Sequence, residues 1–207
     1  MVGASRVLAF NNQLFLLINA PAHPYPTTVA LAEFAASGVI ILVPFLLVAL
    51  WVWGNPTHRA GLAATAVAAA LALGANQLLG LLWYEPRPFV IGLGRTLIAH
   101  PPENSFPSDH TTFMVTLGLS LIITRAAPAW GKVVILLGLL VAWARIYLGL
   151  HFPIDMLTSG AVGASFGGVS AILVPPISRW AMPLAEPIYE GALRLLHLPI
   201  RVFPRRP

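Results

Sequence analysis

The feature that most constrains this chain is a series of long apolar stretches separated by short polar segments. A helix needs about 20 apolar residues to cross the hydrocarbon core of a bilayer. Five stretches approach that length, at residues 29–53, 60–83, 110–124, 133–148 and 154–174. Only 9% of the residues are charged, against roughly 25% in soluble domains. The sequence therefore predicts an all-α integral membrane bundle of five to six transmembrane helices.

The two ends of the chain are predicted to lie along the membrane surface. Residues 5–20 are amphipathic and interrupted by amide side chains, which predicts an interfacial helix, with a sixth span as the alternative. Beyond Pro175 and Pro176, arginines are scattered among apolar residues. We therefore expect residues 177–207 to form a cytoplasmic interfacial tail. No repeat or low-complexity linker divides the sequence, so residues 1–207 are predicted to form a single membrane-embedded domain.

The basic residues predict the orientation of the bundle. Five spans place eight Lys and Arg residues on one side and four on the other. The eight are Arg59, Arg125, Lys132, Arg179, Arg194, Arg201, Arg205 and Arg206, and the four are Arg6, Arg87, Arg95 and Arg145. By the positive-inside rule the eight-charge side is cytoplasmic. The segments around residues 84–108 and 148–153 should then face the periplasm or exterior of a bacterial plasma membrane.

The composition also excludes several classes of function. The net charge of +5 is not gathered on a basic face interleaved with aromatic residues, so a nucleic-acid partner is not expected. The chain has no cysteine, which excludes disulfides, thiolate nucleophiles and Cys-ligated metals. No spacing typical of a metal site or a cofactor site is present, and we expect neither a metal nor a cofactor.

The remaining polar side chains gather in three segments, all on the predicted exterior side. They are residues 84–89 (YEPRPF), residues 105–110 (SFPSDH) and residues 145–155 (RIYLGLHFPID). Arg87 and Arg145 can form bidentate hydrogen bonds with a phosphate group. Ser108, followed by Asp109, stands where a helix is predicted to begin, and a helix start favours anions. These residues are candidates for phosphate binding.

Two histidines supply the groups that phosphoryl transfer requires. His151 and Asp155 are four residues apart, close enough for the carboxylate to hold one imidazole nitrogen and leave the other as a nucleophile. His110 is then available as a general acid. An anion site with these catalytic candidates predicts phosphoryl transfer.

The three segments resemble the signature motifs of the type 2 phosphatidic acid phosphatase superfamily in order and spacing. The residues that carry the likeness are Arg87 and Pro88, then Pro107, Ser108, Asp109 and His110, and finally Arg145, His151 and Asp155. The resemblance implies a metal-independent phosphatase in which His151 attacks phosphorus to give a phosphohistidine. It also implies that Asp155 orients His151, that His110 protonates the leaving oxygen, and that Arg87, Ser108 and Arg145 hold the phosphate.

Within that superfamily the extended motifs are most similar to the bacitracin-resistance type of undecaprenyl-diphosphate phosphatases. This likeness implies hydrolysis of undecaprenyl diphosphate to the monophosphate at the outer leaflet. Phosphatidic acid, phosphatidylglycerol phosphate and lipid A phosphate are alternative substrates, and a transporter or structural bundle is the non-enzymatic alternative. One position departs from the family pattern: Gly80 stands where a lysine usually precedes the motif arginine by seven residues, and Arg95 is one candidate to supply the missing cation.

Simpler interpretations apply to several polar residues. Arg87 and Arg145 would contact lipid headgroups if they acted alone, and Asp109 caps its helix or orients His110. Asn76 and Gln77 are expected to form interhelical hydrogen bonds, and the glycines at 160, 163, 167 and 168 to allow close helix packing. Four histidines lack ligand spacing and are predicted to lie in loops or at the interface: His23, His58, His100 and His197.

Overall fold

A computed structural model describes the backbone of residues 2–195 and the side chains from residue 6 to residue 195. Within this range the chain forms six helices. They are α1 (Val2–Ile18), α2 (Pro26–Trp53), α3 (Pro56–Leu82), α4 (Asp109–Ile123), α5 (Pro128–Tyr147) and α6 (Pro153–Leu195). Four of them begin at a proline, whose fixed φ angle suits the first helical position and whose missing N–H is not needed there.

Four helices in the described part of the chain are long and apolar enough to cross a membrane: α2, α3, α5 and α6. The all-α membrane bundle predicted from the sequence is thereby confirmed. Helix α4 was predicted as a span and is only 15 residues long. It packs against α3, α5 and α6, and Thr112, Thr116 and Ser120 on it are fully buried. Because protein rather than lipid surrounds α4, its length need not match the bilayer thickness.

Glycines allow the helices around α4 to approach closely. A Cβ atom on Gly163 would lie 2.8 Å from the Thr112 carbonyl oxygen, and one on Gly167 would lie 2.8 Å from Leu119 Cβ. The prediction of small-residue packing is confirmed for these two glycines. Gly160 and Gly168 have no such neighbour within 4 Å, so they take no part in this contact.

Helix α6 continues where the sequence predicted that it would end. Proline lacks an N–H and usually interrupts a helix, yet α6 passes Pro175 and Pro176 and reaches Leu195. A π-helical turn at Ile177–Ala181 follows the prolines directly and accommodates the change in winding. The helix therefore extends beyond residue 174, where the predicted span ended. An interfacial location for this region stays a prediction, and residues 196–207 lie outside the described residues.

An ion pair between buried Arg59 and partly buried Glu186 joins the C-terminal part of α6 to the start of α3. Arg59 Nη1 donates to Glu186 Oε2 at 2.7 Å, and Arg59 Nε donates to the Trp51 carbonyl at 2.9 Å. The Arg59 guanidinium also lies 4.2 Å from the centre of the Tyr189 ring. Its side chain is 2% exposed. Arg59, which the sequence analysis counted as a topology charge, is thus also a structural residue.

We predict that Arg59→Met lowers the free energy of unfolding by about 3–5 kcal/mol, because it leaves the Glu186 carboxylate partly buried without its partner. Adding Glu186→Gln should restore part of the loss. The matched control is Arg194→Met, which breaks an exposed pair with Glu190 and should cost about 0–1 kcal/mol. The free energy of unfolding is measured in detergent for the wild type, the two single variants and the double variant. Equal decreases for Arg59→Met and Arg194→Met would contradict the prediction.

Candidate active site

The three polar segments converge on one cavity of about 550 Å³ at the end of the bundle opposite the Arg59–Glu186 pair. His110 and His151 both line it. The other polar residues on its walls are Asn76, Gln77, Arg87, His100, Glu103, Asn104, Asp109 and Arg145. Residues far apart in sequence therefore share a single compartment, as the three motifs predicted.

The turn between α5 and α6 explains the spacing of Arg145 and His151. The N–H of Leu150 donates to the Arg145 carbonyl at 2.9 Å, and the N–H of Gly149 donates to the Ile146 carbonyl at 3.0 Å. These two bonds form a Schellman motif. It requires a left-handed residue, and Gly149 has φ +82°. The motif reverses the chain, so that the side chain of His151 returns to the guanidinium of Arg145.

The contacts of His151 determine which of its nitrogens carries the proton. Nε2 lies 3.1 Å from Arg87 Nη1 and 3.4 Å from Arg145 Nη2. Because a guanidinium group only donates hydrogen bonds, Nε2 presents its lone pair. The proton is then on Nδ1, which lies 3.4 Å from Asp155 Oδ2. Burial, together with the positive charges of the two arginines, lowers the pKa of His151 well below its ordinary value. A neutral imidazole thus offers a lone pair to the cavity.

Asp155 is held in place by its own helix start. Its Oδ2 accepts the backbone N–H of Phe152 at 2.9 Å and the hydroxyl of Ser105 at 2.5 Å. The Asp155 residue is 1% exposed. The sequence placed Ser105 in the second motif without assigning it a role, and the structure adds it to the His151–Asp155 pair. Its position three residues before Ser108 was the signal available.

The two arginines are buried and incompletely bonded. Arg87 donates from Nη1 to the Leu150 carbonyl at 3.0 Å and from Nη2 to the Asn104 carbonyl at 3.1 Å. Among the described residues, the Nε atoms of Arg87 and Arg145 have no hydrogen-bond partner. Burial lowers the pKa of Arg87. Buried donors without partners are rare in native proteins, and here they belong to two cationic groups that line the cavity.

The second motif differs from expectation in detail. Ser108 precedes α4 as an N-cap residue but makes no capping bond, and its buried Oγ has no partner among the described residues. Ser108 is fully buried and is not part of the cavity wall. Asp109 accepts hydrogen bonds from Asn76 and Gln77, which confirms the interhelical bonds predicted for these amides. An ionised carboxylate has no proton to donate, so Asp109 suits holding α3 against α4 better than binding phosphate directly.

Two loop residues near Gly80, the position where related motifs have a lysine, were not predicted to take part in the site. Asn104 donates to the Gly80 and Trp83 carbonyls at 3.0 and 2.9 Å and joins the loop to the end of α3. His100, which was expected in an ordinary loop position, lines the cavity. Arg95, considered as the replacement cation, lies instead beside the end of α1 in a neighbouring groove. No short sequence spacing connects His100 to the motifs, so the sequence offered no signal for it.

Helix α1 fastens the site loop to the bundle. The side chain of Asn19 donates to the carbonyls of Arg95 and Tyr147 and accepts the N–H of Arg95 at 2.7 Å. Asn11 accepts the N–H of Ile154 at 3.1 Å. Asn11 within α1 and Asn19 directly after it therefore hold together the segments that carry Arg87 and His151.

Comparison with known proteins decides the family. Residues 61–179 match the model of the PAP2 superfamily. The chain belongs to the PAP2 superfamily. YbjG of Escherichia coli (strain K12), a candidate undecaprenyl-diphosphatase by its name, is 37% identical to it over 79% of this chain and 82% of its own length. The undecaprenyl-diphosphatase BcrC of Bacillus subtilis (strain 168) is 31% identical over 76% of this chain and 80% of its own.

A solved structure agrees with these relationships. The crystal structure of Aquifex aeolicus LpxE superposes with a TM-score of 0.63 at 25% identity, covering 76% of this chain and 92% of that one. The family and its relatives identify the chain as a multi-pass membrane phosphatase. The fold and enzyme class predicted from the sequence are thereby confirmed.

We predict that Gly149→Ala disturbs the PAP2 site. A left-handed conformation costs an alanine about 1–2 kcal/mol, and the new Cβ would collide with the Arg95 carbonyl oxygen. Gly160→Ala is the matched control, because it adds a methyl group in open space. Thermal unfolding and phosphate release should fall for Gly149→Ala and not for Gly160→Ala. Unchanged values for Gly149→Ala would show that the turn is not needed in this form.

Proposed function

We propose that the protein hydrolyses undecaprenyl diphosphate to undecaprenyl phosphate and phosphate. The observation that carries this proposal is the His151 ring, whose Nε2 lone pair faces the cavity between two guanidinium groups while Nδ1 faces Asp155. The substrate is taken from relatives named undecaprenyl-diphosphatases, which are 31–37% identical over most of this chain.

Substrate binding begins with the terminal phosphoryl group. Arg87 and Arg145 would turn their guanidinium donors from the His151 ring to the phosphoryl oxygens. Charge-assisted bonds of this kind are stronger than those to a neutral imidazole, so the exchange favours the bound state. The unpartnered hydroxyl of Ser108 is a further candidate donor if the start of α4 moves slightly.

The covalent step follows from the position of His151. Its Nε2 lone pair attacks the terminal phosphorus, and a P–N bond forms as the bridging P–O bond breaks. His110, which takes up a solvent proton once the diphosphate is bound, donates that proton to the departing undecaprenyl phosphate. The positive charge that develops on the His151 ring is stabilised by the Asp155 carboxylate at Nδ1. In the second step His110 accepts a proton from water, which attacks the phosphohistidine and releases phosphate.

We further propose that the site opens on the outer leaflet. The helix ends alternate so that the loops between α3 and α4 and between α5 and α6 lie on one side. The opposite side holds the five described charges of the larger group, Arg59, Arg125, Lys132, Arg179 and Arg194, and the positive-inside rule places that side in the cytoplasm. An outward site would give the enzyme access to the carrier diphosphate that is left outside after wall synthesis.

The central test is His151→Ala in purified protein supplied with ³²P-labelled polyprenyl diphosphate and excess EDTA, since the proposed chemistry uses no metal. Phosphate release should fall to background because the nucleophile is gone. In the wild type, a denaturing alkaline quench should trap protein labelled from the terminal phosphoryl group, later acid treatment should release that label as expected of a phosphoramidate, and the variant should carry no label.

Exposed His58 at the other end of the bundle offers the matched control, because His58→Gln should retain wild-type release. Release by His151→Ala at the wild-type rate would refute the nucleophile. Complete loss of wild-type activity in EDTA would refute the metal-independent mechanism. Stronger activity on phosphatidic acid, phosphatidylglycerol phosphate or lipid A phosphate in the same assay would reassign the substrate.

A second prediction concerns Asp155. Asp155→Asn should reduce kcat on the order of 10²–10⁴-fold, because the neutral amide cannot stabilise the imidazolium and allows the other tautomer. KM should change little, since Asp155 is not part of the cavity wall. Steady-state kinetics measures both constants. A raised KM with an unchanged kcat would argue against this role.

A further inference from the structure

The wall of the cavity lacks the lysine that related motifs carry, and the local packing leaves little space for a side chain at that position. The position is Gly80, where an added Cβ would lie 3.2 Å from Asn104 Nδ2. That same nitrogen donates to the Gly80 carbonyl at 3.0 Å. Asn104 therefore occupies the space beside the backbone at this point. Any additional cation in the cavity has to come from another segment.

His100 is the residue that lies in position to supply it. It lines the cavity from the loop between α3 and α4, and its side chain is partly exposed there. Its Nδ1 lies 3.0 Å from the Pro101 carbonyl oxygen, and its Nε2 lies 3.5 Å from Arg145 Nη2. A carbonyl only accepts and a guanidinium only donates. The proton is therefore on Nδ1, and the Nε2 lone pair faces the cavity.

One nitrogen of Arg145 lies close to both His100 and the nucleophile His151. Arg145 Nη2 lies 3.4 Å from His151 Nε2 and 3.5 Å from His100 Nε2. The two imidazole nitrogens are consequently no more than about 7 Å apart. If one phosphorus atom is attacked by His151, the phosphoryl group joined to it through the bridging oxygen lies within reach of His100.

We propose that His100 is a specificity-determining residue that binds the second phosphoryl group of a diphosphate substrate. The inference rests on the proposed function and extends it: the terminal phosphoryl group reacts at His151, and the lipid-linked one is held by His100. Because the second group becomes the leaving group, a cation at His100 also stabilises the charge that it gains. A lipid monophosphate has no group at this place and makes no such contact.

Binding requires His100 to change its charge. Burial lowers its pKa, so the resting ring is neutral, and a diphosphate next to it favours uptake of a solvent proton at Nε2. The charged and titratable groups that face His100 are Arg87, Glu103, His110, Arg145 and His151. Four of these, all except Glu103, carry positive charge or can acquire it close by, so an anion must be present before the proton is retained.

The test compares His100→Gln and His100→Lys with the wild type and with His58→Gln, a control at an exposed histidine at the other end of the bundle. Inhibition by methylene diphosphonate and by inorganic phosphate measures binding of two linked phosphoryl groups against one. For His100→Gln we expect diphosphonate inhibition to weaken about tenfold to hundredfold, the usual result of losing a hydrogen bond to a charged group, with phosphate inhibition unchanged.

Two further readouts separate recognition from stability. His100→Lys should recover most of the diphosphonate inhibition, because its ammonium replaces the imidazolium. Methylene diphosphonate should inhibit the wild type more strongly than His100→Gln, and this difference should decline as the pH rises from about 6 to about 8, where an imidazolium loses its proton. The corresponding difference between His100→Lys and His100→Gln should not decline over this range. In turnover, kcat/KM for polyprenyl diphosphate should fall more than kcat/KM for a lipid monophosphate.

The inference would be overturned if His100→Gln weakened inhibition by diphosphonate and by phosphate equally. It would also be overturned if the variant weakened neither. Failure of His100→Lys to recover any inhibition would likewise argue for a purely structural role. These outcomes leave the proposed function intact, since the wild type would still release phosphate through His151. If the wild type hydrolyses monophosphates and no diphosphate, the proposed substrate and this inference fail together.

Discussion

The site depends on the contact of two buried guanidinium groups with one nitrogen of the His151 ring. Because Arg87 and Arg145 can only donate, they hold the Nε2 lone pair toward the cavity and keep the ring neutral in the absence of an anion. The same donors can bind a phosphate more strongly than they bind the imidazole. One arrangement thus stores the nucleophile in its reactive form and provides the binding site for the group that it attacks.

The rest of the fold fixes the relative positions of Arg87, Arg145 and His151. The Schellman turn at Gly149 brings His151 back to Arg145, and the start of α6 positions Asp155 behind the ring. The loop that carries Arg87 is attached through Asn104 to α3 and through Asn19 to the segment directly after α1. These attachments oppose the repulsion between the like charges of Arg87 and Arg145. At the far end, the Arg59–Glu186 pair secures α6 independently of the site.

Much of this arrangement could be predicted from particular residues. Arg87 and Arg145 were assigned to phosphate binding and His110 and His151 to catalysis from their residue types and order, and all four line the cavity, whereas Ser108, also assigned to phosphate binding, does not. Asn76 and Gln77 form the interhelical bonds expected of amides in a span. The continuation of α6 past Pro175 and Pro176 was not predicted, because a proline's effect depends on whether neighbouring turns can rearrange.

The sequence by itself determined the membrane bundle and the chemical type of the site. Apolar runs of bilayer length demand helices, since a backbone in lipid must satisfy its own hydrogen bonds, and the few polar residues left over are costly enough in that setting to indicate function. Only the tertiary structure decided the partners: Ser105 behind Asp155, Asn104 beside Gly80, His100 beside Arg145, and Arg95 away from the cavity. Loop side chains have no periodicity to reveal their direction, and these contacts exist only after helices distant in sequence have packed.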